Sequence, residues 1–257
     1  MNQEDRRRYL IEELLRERPS CKPQKIPTDA DRQKVLLRSL MNVRHPAAIG
    51  KRFLEVQDAY LQEELAEKKV TKLSDLRPIH EGIYLWRGDI TTLECGAIVN
   101  AANSGMTGCY QPCHNCIDNC IHTYAGVQLR LKCAEIMAEQ GYEEPTGQAK
   151  ITLAYNLPCE YVIHTVGPIV QGKLTQEHCR QLESCYRSCL KLADENSVGS
   201  IAFCCISTGV FKFPNDKAAE IAVGTVQKYK TETGSKIEVV FNVFKERDEE
   251  IYRKLLH

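Results

Sequence analysis

Eight consecutive residues, Cys109-Tyr110-Gln111-Pro112-Cys113-His114-Asn115-Cys116, carry three thiols and an imidazole. Zinc prefers such ligands in a tetrahedron, and a catalytic zinc leaves one position open, so three ligands from this loop would make a usable site. Chemistry alone does not choose them. Cys109, His114 and Cys116 form a Cys-x4-His-x-Cys pattern, whereas Cys113-x2-Cys116 has the commoner metal-knuckle spacing. A closed structural zinc completed by Cys113 or Cys120 is another reading, and a redox switch is a third if one thiol is exposed and acidic. Two residues past the loop, Asp118 can orient or deprotonate a water, or can simply favour the positive end of a helix. His122 follows one helical turn later, where it can orient Asp118.

Other polar residues sit where a small ligand could be gripped. Asp89 follows a strand candidate and can accept a hydrogen bond from an exocyclic amine, or can cap a turn. Asn103 offers a donor and an acceptor suited to a hydroxyl pair, and it is equally a turn residue. Ser207-Thr208-Gly209-Val210-Phe211 leaves an apolar run through small residues, and such a turn can aim successive backbone N–H groups at a phosphate. Phe244 ends the last strand candidate, placed either to stack on a base or to pack in the core. His164 reads as a hydrogen-bonded core residue, and Glu143 and Glu144 read as solvated.

The elements that position these residues change character near Lys72. Before it, apolar residues recur at helical spacing: Leu10, Ile11, Leu14 and Leu15; then Val35, Leu36, Leu40 and Val43; then Ile49, Phe53, Val56 and Tyr60. Pro19, Pro23, Pro27 and Pro46 punctuate them. Residues 1–72 are therefore read as a helical extension packed on a main domain, 73–257. From Ile83 the strand candidates are Ile83–Trp86, Ala97–Asn100, Lys150–Ala154, Tyr161–Thr165, Ser200–Cys205 and Ile237–Phe244. Helical patterns cover Ile117–Glu139, Thr175–Glu195, Asn215–Thr231 and Glu246–Leu256. This alternation predicts a three-layer α/β/α sandwich around a mixed, largely parallel sheet. Ligands of such sheets bind beyond the carboxyl ends of the strands, so the Asn103 and Ser207 loops can face one cleft.

Composition removes some classes of partner. Lys+Arg and Asp+Glu balance at 34 each, so no net field favours nucleic acid or an anionic membrane, and a phosphate needs local donors. No stretch approaches a membrane span, and the first residues lack the apolar core of a signal peptide, which predicts a cytoplasmic protein. The 13 cysteines are an odd number in a chain of 257 residues, which fits reduced thiols. Among them Cys185, Cys189, Cys204 and Cys205 lie in apolar patterns and read as small buried hydrophobes.

Four segments in order carry a resemblance: Gly88-Asp89-Ile90-Thr91; Ala97 through Ser104; Tyr161-Val162-Ile163-His164-Thr165-Val166-Gly167-Pro168; and Ile206 through Phe211. Together they resemble the macrodomain family of ADP-ribose-binding modules. Where its hydrolases commonly carry glycines before a Val-Asp, this chain has the Cys/His loop before Ile117-Asp118, which is similar to the zinc-containing microbial branch that removes ADP-ribose from proteins. The resemblance covers Gly82 to the end, about two thirds of the chain. It implies that Asp89, assisted by the backbone of Ile90, reads the adenine amine, that Asn103 holds the distal ribose, and that Ser207, Thr208, Gly209, Val210 and Phe211 cradle the diphosphate with Phe211 beside that ribose. It favours zinc on Cys109, His114 and Cys116, and Asn103 and Asp118 as catalytic residues, while Phe244 stays a ligand-binding candidate with adenine stacking and core packing both open. The implied activity is hydrolysis of mono-ADP-ribose from Asp or Glu esters of modified proteins. Alternatives are a reader that binds ADP-ribose without hydrolysis, an O-acetyl-ADP-ribose deacetylase, and a zinc scaffold whose helices recruit a partner.

Overall fold

The computed structural model describes residues 1–18 and 25–257. Pro19, Cys21 and Pro23 lie outside the described residues. The first three helices are α1 (Gln3–Arg16), α2 (Ala30–Val43) and α3 (Lys51–Glu67). Asn2 and Asp29 accept the Asp5 and Arg32 N–H groups, so the starts of α1 and α2 are capped by side chains. Their apolar stripes, including Leu10, Ile11, Leu14, Leu37, Leu40, Phe53 and Val56, bury one another in a core of their own, joined by Val127 from the main body.

The strands are β1 (Thr71–Lys72), β2 (Ile83–Arg87), β3 (Leu93–Glu94), β4 (Ala97–Ala102), β5 (Ala149–Leu153), β6 (Tyr161–Val166), β7 (Ser200–Phe203) and β8 (Glu238–Val243). β1 pairs with β3, and the remaining strands form one sheet in the order β2-β8-β7-β4-β6-β5. Every pairing in this sheet is parallel except the edge pair β5 and β6. The central strands are near-continuous apolar runs because both faces are covered. Helices α4 (Ile117–Ala125) and α5 (Val127–Gln140) pack on β4 and β5, while α6 (Gln176–Glu195), α7 (Asn215–Thr233) and α8 (Glu246–Leu256) pack side by side and reach β5, β6, β2 and β8. The α/β/α layering expected from the alternation is present.

The helix expected over Ile117–Glu139 is two. Gly126 stands between them at φ 98, and a Cβ there would lie 2.6 Å from the Gln57 and Gln128 side chains. Buried Gln57 of α3 accepts the Val127 N–H at 3.0 Å, so the start of α5 is satisfied by a side chain from the N-terminal helices. The strand expected to reach Cys205 ends at Phe203. Glu144, expected in solvent, is 2% exposed: its carboxylate accepts Lys150 and Gln140, and its N–H donates to the Ser104 carbonyl at 2.9 Å. It ties the loop after α5 to the turn that follows β4.

Candidate active site

Parallel strands share one carboxyl edge, and each parallel strand of the large sheet ends in a residue already singled out. Asp89 follows β2, Asn103 follows β4, Gly167 follows β6, Ser207 follows β7 and Phe244 follows β8. Glycine is required at 167, because a Cβ there would sit 2.0 Å from the Ser207 hydroxyl oxygen.

Asp118 lies in the first turn of α4 and is 5% exposed. Asn100, on β4, donates to Oδ1 at 2.8 Å, and Asn103 donates to Oδ2 at 3.2 Å. Burial pushes the carboxyl up to about 6, opposed by the Asn100 hydrogen bond, the Arg130 charge and the Asn103 hydrogen bond. His122 does not orient it. Its Nε2 is 3.6 Å from Oδ1, both ring nitrogens lack hydrogen-bond partners, and burial holds the imidazole neutral. Gly108 explains the proximity of that ring to the Cys/His loop, since a Cβ would lie 2.8 Å from it. Asn100 is the orienting residue that sequence reasoning missed. Its amide also meets His164 Nδ1 at 3.1 Å, while His164 Nε2 meets the Thr152 hydroxyl at 3.0 Å, so His164 is the hydrogen-bonded core residue expected. His122, Cys133 and His164 bring ligand atoms within 4.8 Å of one another, but both His164 nitrogens are already engaged.

In the loop before α4, the ligand atoms of Cys109, His114 and Cys116 also lie within 4.8 Å of one another. Cys109 Sγ is 3.6 Å from His114 Nδ1, and a tetrahedral zinc with bonds of about 2.3 Å to sulfur and about 2.0–2.1 Å to nitrogen has an S···N edge of about 3.6 Å. Cys113 is turned away from this group. It adopts φ 52, and its Sγ lies 3.1 Å from the Ser39 hydroxyl of α2. Cys120 Sγ instead receives Arg38 at 3.7 Å. The donor set therefore fits zinc with three ligands and an open side. Cys116 is also the N-cap of α4, its sulfur accepting the Asn119 N–H at 3.4 Å, and burial raises its thiol to about 12 against that hydrogen bond.

At the other end, Asp89 caps a turn with one oxygen and turns the other toward Lys68. Oδ1 receives the Thr91 N–H at 3.0 Å and the Thr91 hydroxyl at 2.6 Å, while Oδ2 faces Lys68 Nζ at 3.9 Å. Ile90 is 2% exposed, so its side chain belongs to the core and its backbone is what it can offer a ligand. Phe244 is 76% exposed, which removes the core reading for it. In the turn after β7, Ser207 has φ 65, and Phe213 N–H closes back on its carbonyl at 3.0 Å. Among the described residues the N–H groups of Gly209, Val210 and Phe211 have no acceptor, as an anion cradle requires. The Phe211 carbonyl accepts the Val170 N–H at 2.9 Å, which joins this turn to the loop after β6. Asn103 also donates to the Gly108 carbonyl at 3.1 Å and accepts the Gly105 N–H at 3.0 Å, which leaves one acceptor position on Oδ1.

A family model described as Macro domain matches residues 99–222. A protein-ADP-ribose hydrolase of Treponema medium is 62% identical over 260 residues, covering 100% of both chains. The chain belongs to the macrodomain family. A protein-ADP-ribose hydrolase of Staphylococcus aureus is 52% identical to this macrodomain over 251 residues, covering 96% of this chain and 93% of that protein. The crystal structure of a Trypanosoma brucei macrodomain in complex with ADP-ribose superposes with a TM-score of 0.67 at 31% identity, covering 86% of this chain and 95% of that one. The family match spans the Asn103 turn, the Cys/His loop, Asp118 and the Ser207 turn of this macrodomain, while Asp89 and Phe244 flank it.

Proposed function

We propose that this macrodomain is a protein-ADP-ribose hydrolase that releases mono-ADP-ribose from esters of Asp or Glu, with zinc held by Cys109, His114 and Cys116. The observation that carries it is a buried carboxylate, Asp118, fixed by two amide donors beside a three-ligand Cys/His cluster. End-to-end identity to a protein bearing that activity in its name supports the reaction class. When bound, zinc would supply Lewis-acid polarisation of an oxygen at the ribose end of the ligand.

The chain's own residues provide the rest. The Gly209 to Phe211 amides hold the diphosphate and Asp89 holds the adenine amine, so binding energy from these remote groups fixes the anomeric carbon near Asp118. A carboxylate has about four acceptor positions, and Asn100 and Asn103 use two. The remainder can orient or deprotonate the attacking water. Asn103, held in place by the backbone of Gly105 and Gly108, offers its remaining Oδ1 acceptor position to a ribose hydroxyl. We take residues 1–72 as an extension and 73–257 as the macrodomain proper. The odd cysteine count supports a reducing cytoplasmic setting, and no helix of the described residues is long and apolar enough to cross a membrane.

Incubation with an acceptor protein mono-ADP-ribosylated at Asp or Glu tests the proposal. Free ADP-ribose should appear, and Asp118→Ala should reduce its rate by about 10²-fold or more while ADP-ribose affinity and zinc content persist. Binding without release would make the protein a reader. Turnover of Asp118→Ala at the wild-type rate would remove Asp118 from the chemistry.

A further inference from the structure

Helix α2 lies behind the Cys/His loop, and its polar side chains hold the middle of it, at Cys113 and His114. Arg38 donates from Nη2 to the His114 carbonyl at 2.8 Å and to Asn119 Oδ1 at 3.0 Å. Asn119, which is fully buried, donates in turn to the carbonyls of Gln111 at 2.9 Å and Cys109 at 3.4 Å, and its own N–H meets Cys116 Sγ at 3.4 Å. One guanidinium on α2 is thus linked directly, or through the single residue Asn119, to all three candidate ligands. One turn along α2, Asn42 is 1% exposed, and its Oδ1 accepts the Cys113 N–H at 2.9 Å. Its Nδ2 donates to Thr123 of α4 at 2.9 Å. Ser39, between them, meets the Cys113 thiol, and so the one extra sulfur in the loop is kept on the α2 side.

The seat is also locked from the opposite direction. Arg130 of α5, 5% exposed, donates to the Met41, Asn42 and Arg44 carbonyls at 3.1, 2.6 and 2.7 Å, which satisfies the otherwise free end of α2. Its other amino group reaches the Cys109 carbonyl at 3.4 Å, and its guanidinium lies 4.3 Å from the centre of the Tyr110 ring. α2 therefore cannot shift without moving the loop.

We propose that α2 is the seat of the metal loop, and that Arg38 and Asn42 are positioning residues that hold Cys109, His114 and Cys116 in ligand register while Cys113 is kept out. This rests on the metal reading above. A loop without regular structure loses conformational freedom when it closes on an ion. Hydrogen bonds to a packed helix impose that order before the ion arrives, so metal affinity depends on them even though they touch no metal.

The test measures zinc affinity, by competition with a chromophoric chelator, for the full chain and for Arg38→Met, Arg38→Lys, Asn42→Ala and Arg7→Met. Arg7 is the matched control: it is 5% exposed, lies in the same helical bundle, and hydrogen-bonds Gln33 at 2.9 Å. Arg38→Met and Asn42→Ala should weaken zinc by about 10- to 100-fold, the usual range for partners that orient ligands. Arg38→Lys, which can still reach the His114 carbonyl, should recover most of the loss, and Arg7→Met should bind zinc as the wild type does. ADP-ribose affinity of the metal-free proteins, read by calorimetry, should be the same throughout, which shows that the fold is intact. Wild-type zinc affinity in both Arg38→Met and Asn42→Ala would overturn the inference, as would an equal loss in Arg7→Met. Failure of the wild type to bind zinc would instead overturn the metal reading itself.

Discussion

Asp89→Asn separates the turn cap that this carboxylate provides from the adenine reading proposed for it. Oδ1 is committed to the turn, where it receives the Thr91 N–H and hydroxyl, and Oδ2 is the oxygen left for a ligand. An asparagine keeps the capping oxygen and replaces Oδ2 with an amide NH2, a donor that opposes an exocyclic amine. A hydrogen bond to a charged group contributes about 1.5–3 kcal/mol. The Asp89 side chain is 43% exposed, so water competes for it and the loss should fall at the lower end. A cost of about 1.5–2 kcal/mol corresponds to ADP-ribose affinity about 10- to 30-fold weaker. Stability should hold, whereas Asp89→Ala also deletes the cap and should cost up to about 1 kcal/mol of folding free energy.

The assay is a calorimetric titration of both proteins with ADP-ribose and with its inosine counterpart, which carries a carbonyl in place of the amine. Wild type should prefer the adenine ligand, and Asp89→Asn should lose that preference without a change in melting temperature. If Asp89→Asn still discriminates as the wild type does, Asp89 is only a turn cap and adenine is read elsewhere.

Two further predictions concern the Cys/His loop and a buried histidine. Because Cys113 points at Ser39, Cys113→Ser should retain zinc, whereas Cys116→Ser should lose much of it, since a neutral hydroxyl replaces a thiolate; metal analysis showing the reverse would exchange their roles. Burial lowers the His164 imidazole to about 3, below the unfolded value of about 6.5, so its stability contribution is complete above pH 6.5 and is lost as pH falls toward 3. Between about pH 7.5 and 5.5 the wild type should lose about 1.4 kcal/mol more than His164→Gln, measured by urea denaturation; equal losses would show that His164 accepts a proton in the folded state.

Strands β2, β4, β6, β7 and β8 were legible because buried parallel strands are written as near-continuous apolar runs between turn residues. The break at Gly126 was not, since the apolar period runs through it almost in phase, and the residue that caps α5 is Gln57, distant in sequence. Glu144 looked solvated for a similar reason: its partner Lys150 and its neighbour Ser104 meet it only after β4 and β5 are in place. In the site, residue type and spacing located the loops but could not say which way side chains turn. Asn100 sits in the middle of an apolar strand, and only the packing of α4 on β4 brings its amide to Asp118. On spacing, Cys109 and Cys113 compete as partners of Cys116, and the positive φ of Cys113 that separates them goes with its contacts to α2.

The N-terminal helices touch the cleft at more than the Cys/His loop. Lys68, the C-cap of α3, places its ammonium 3.9 Å from Asp89 Oδ2 and 3.6 Å from the centre of the Tyr124 ring on α4. Gln57 of the same helix caps α5, and Asn42 of α2 holds Thr123 of α4. α4 and α5, which carry Asp118 and Arg130, are therefore held by the sheet and by the N-terminal helices, with one end of the cleft governed through α2 and the other through α3. An independent arm would present a complete polar surface to the main body, yet here the backbone donor of Val127 and the buried guanidinium of Arg130 find their acceptors on those helices. A buried donor stripped of its acceptor costs about 1–3 kcal/mol, against a total stability of about 5–15 kcal/mol for a folded protein. The helices are thus part of the apparatus that orders the site, and the geometry at Asp118 depends on residues that lie before the first strand of the main sheet.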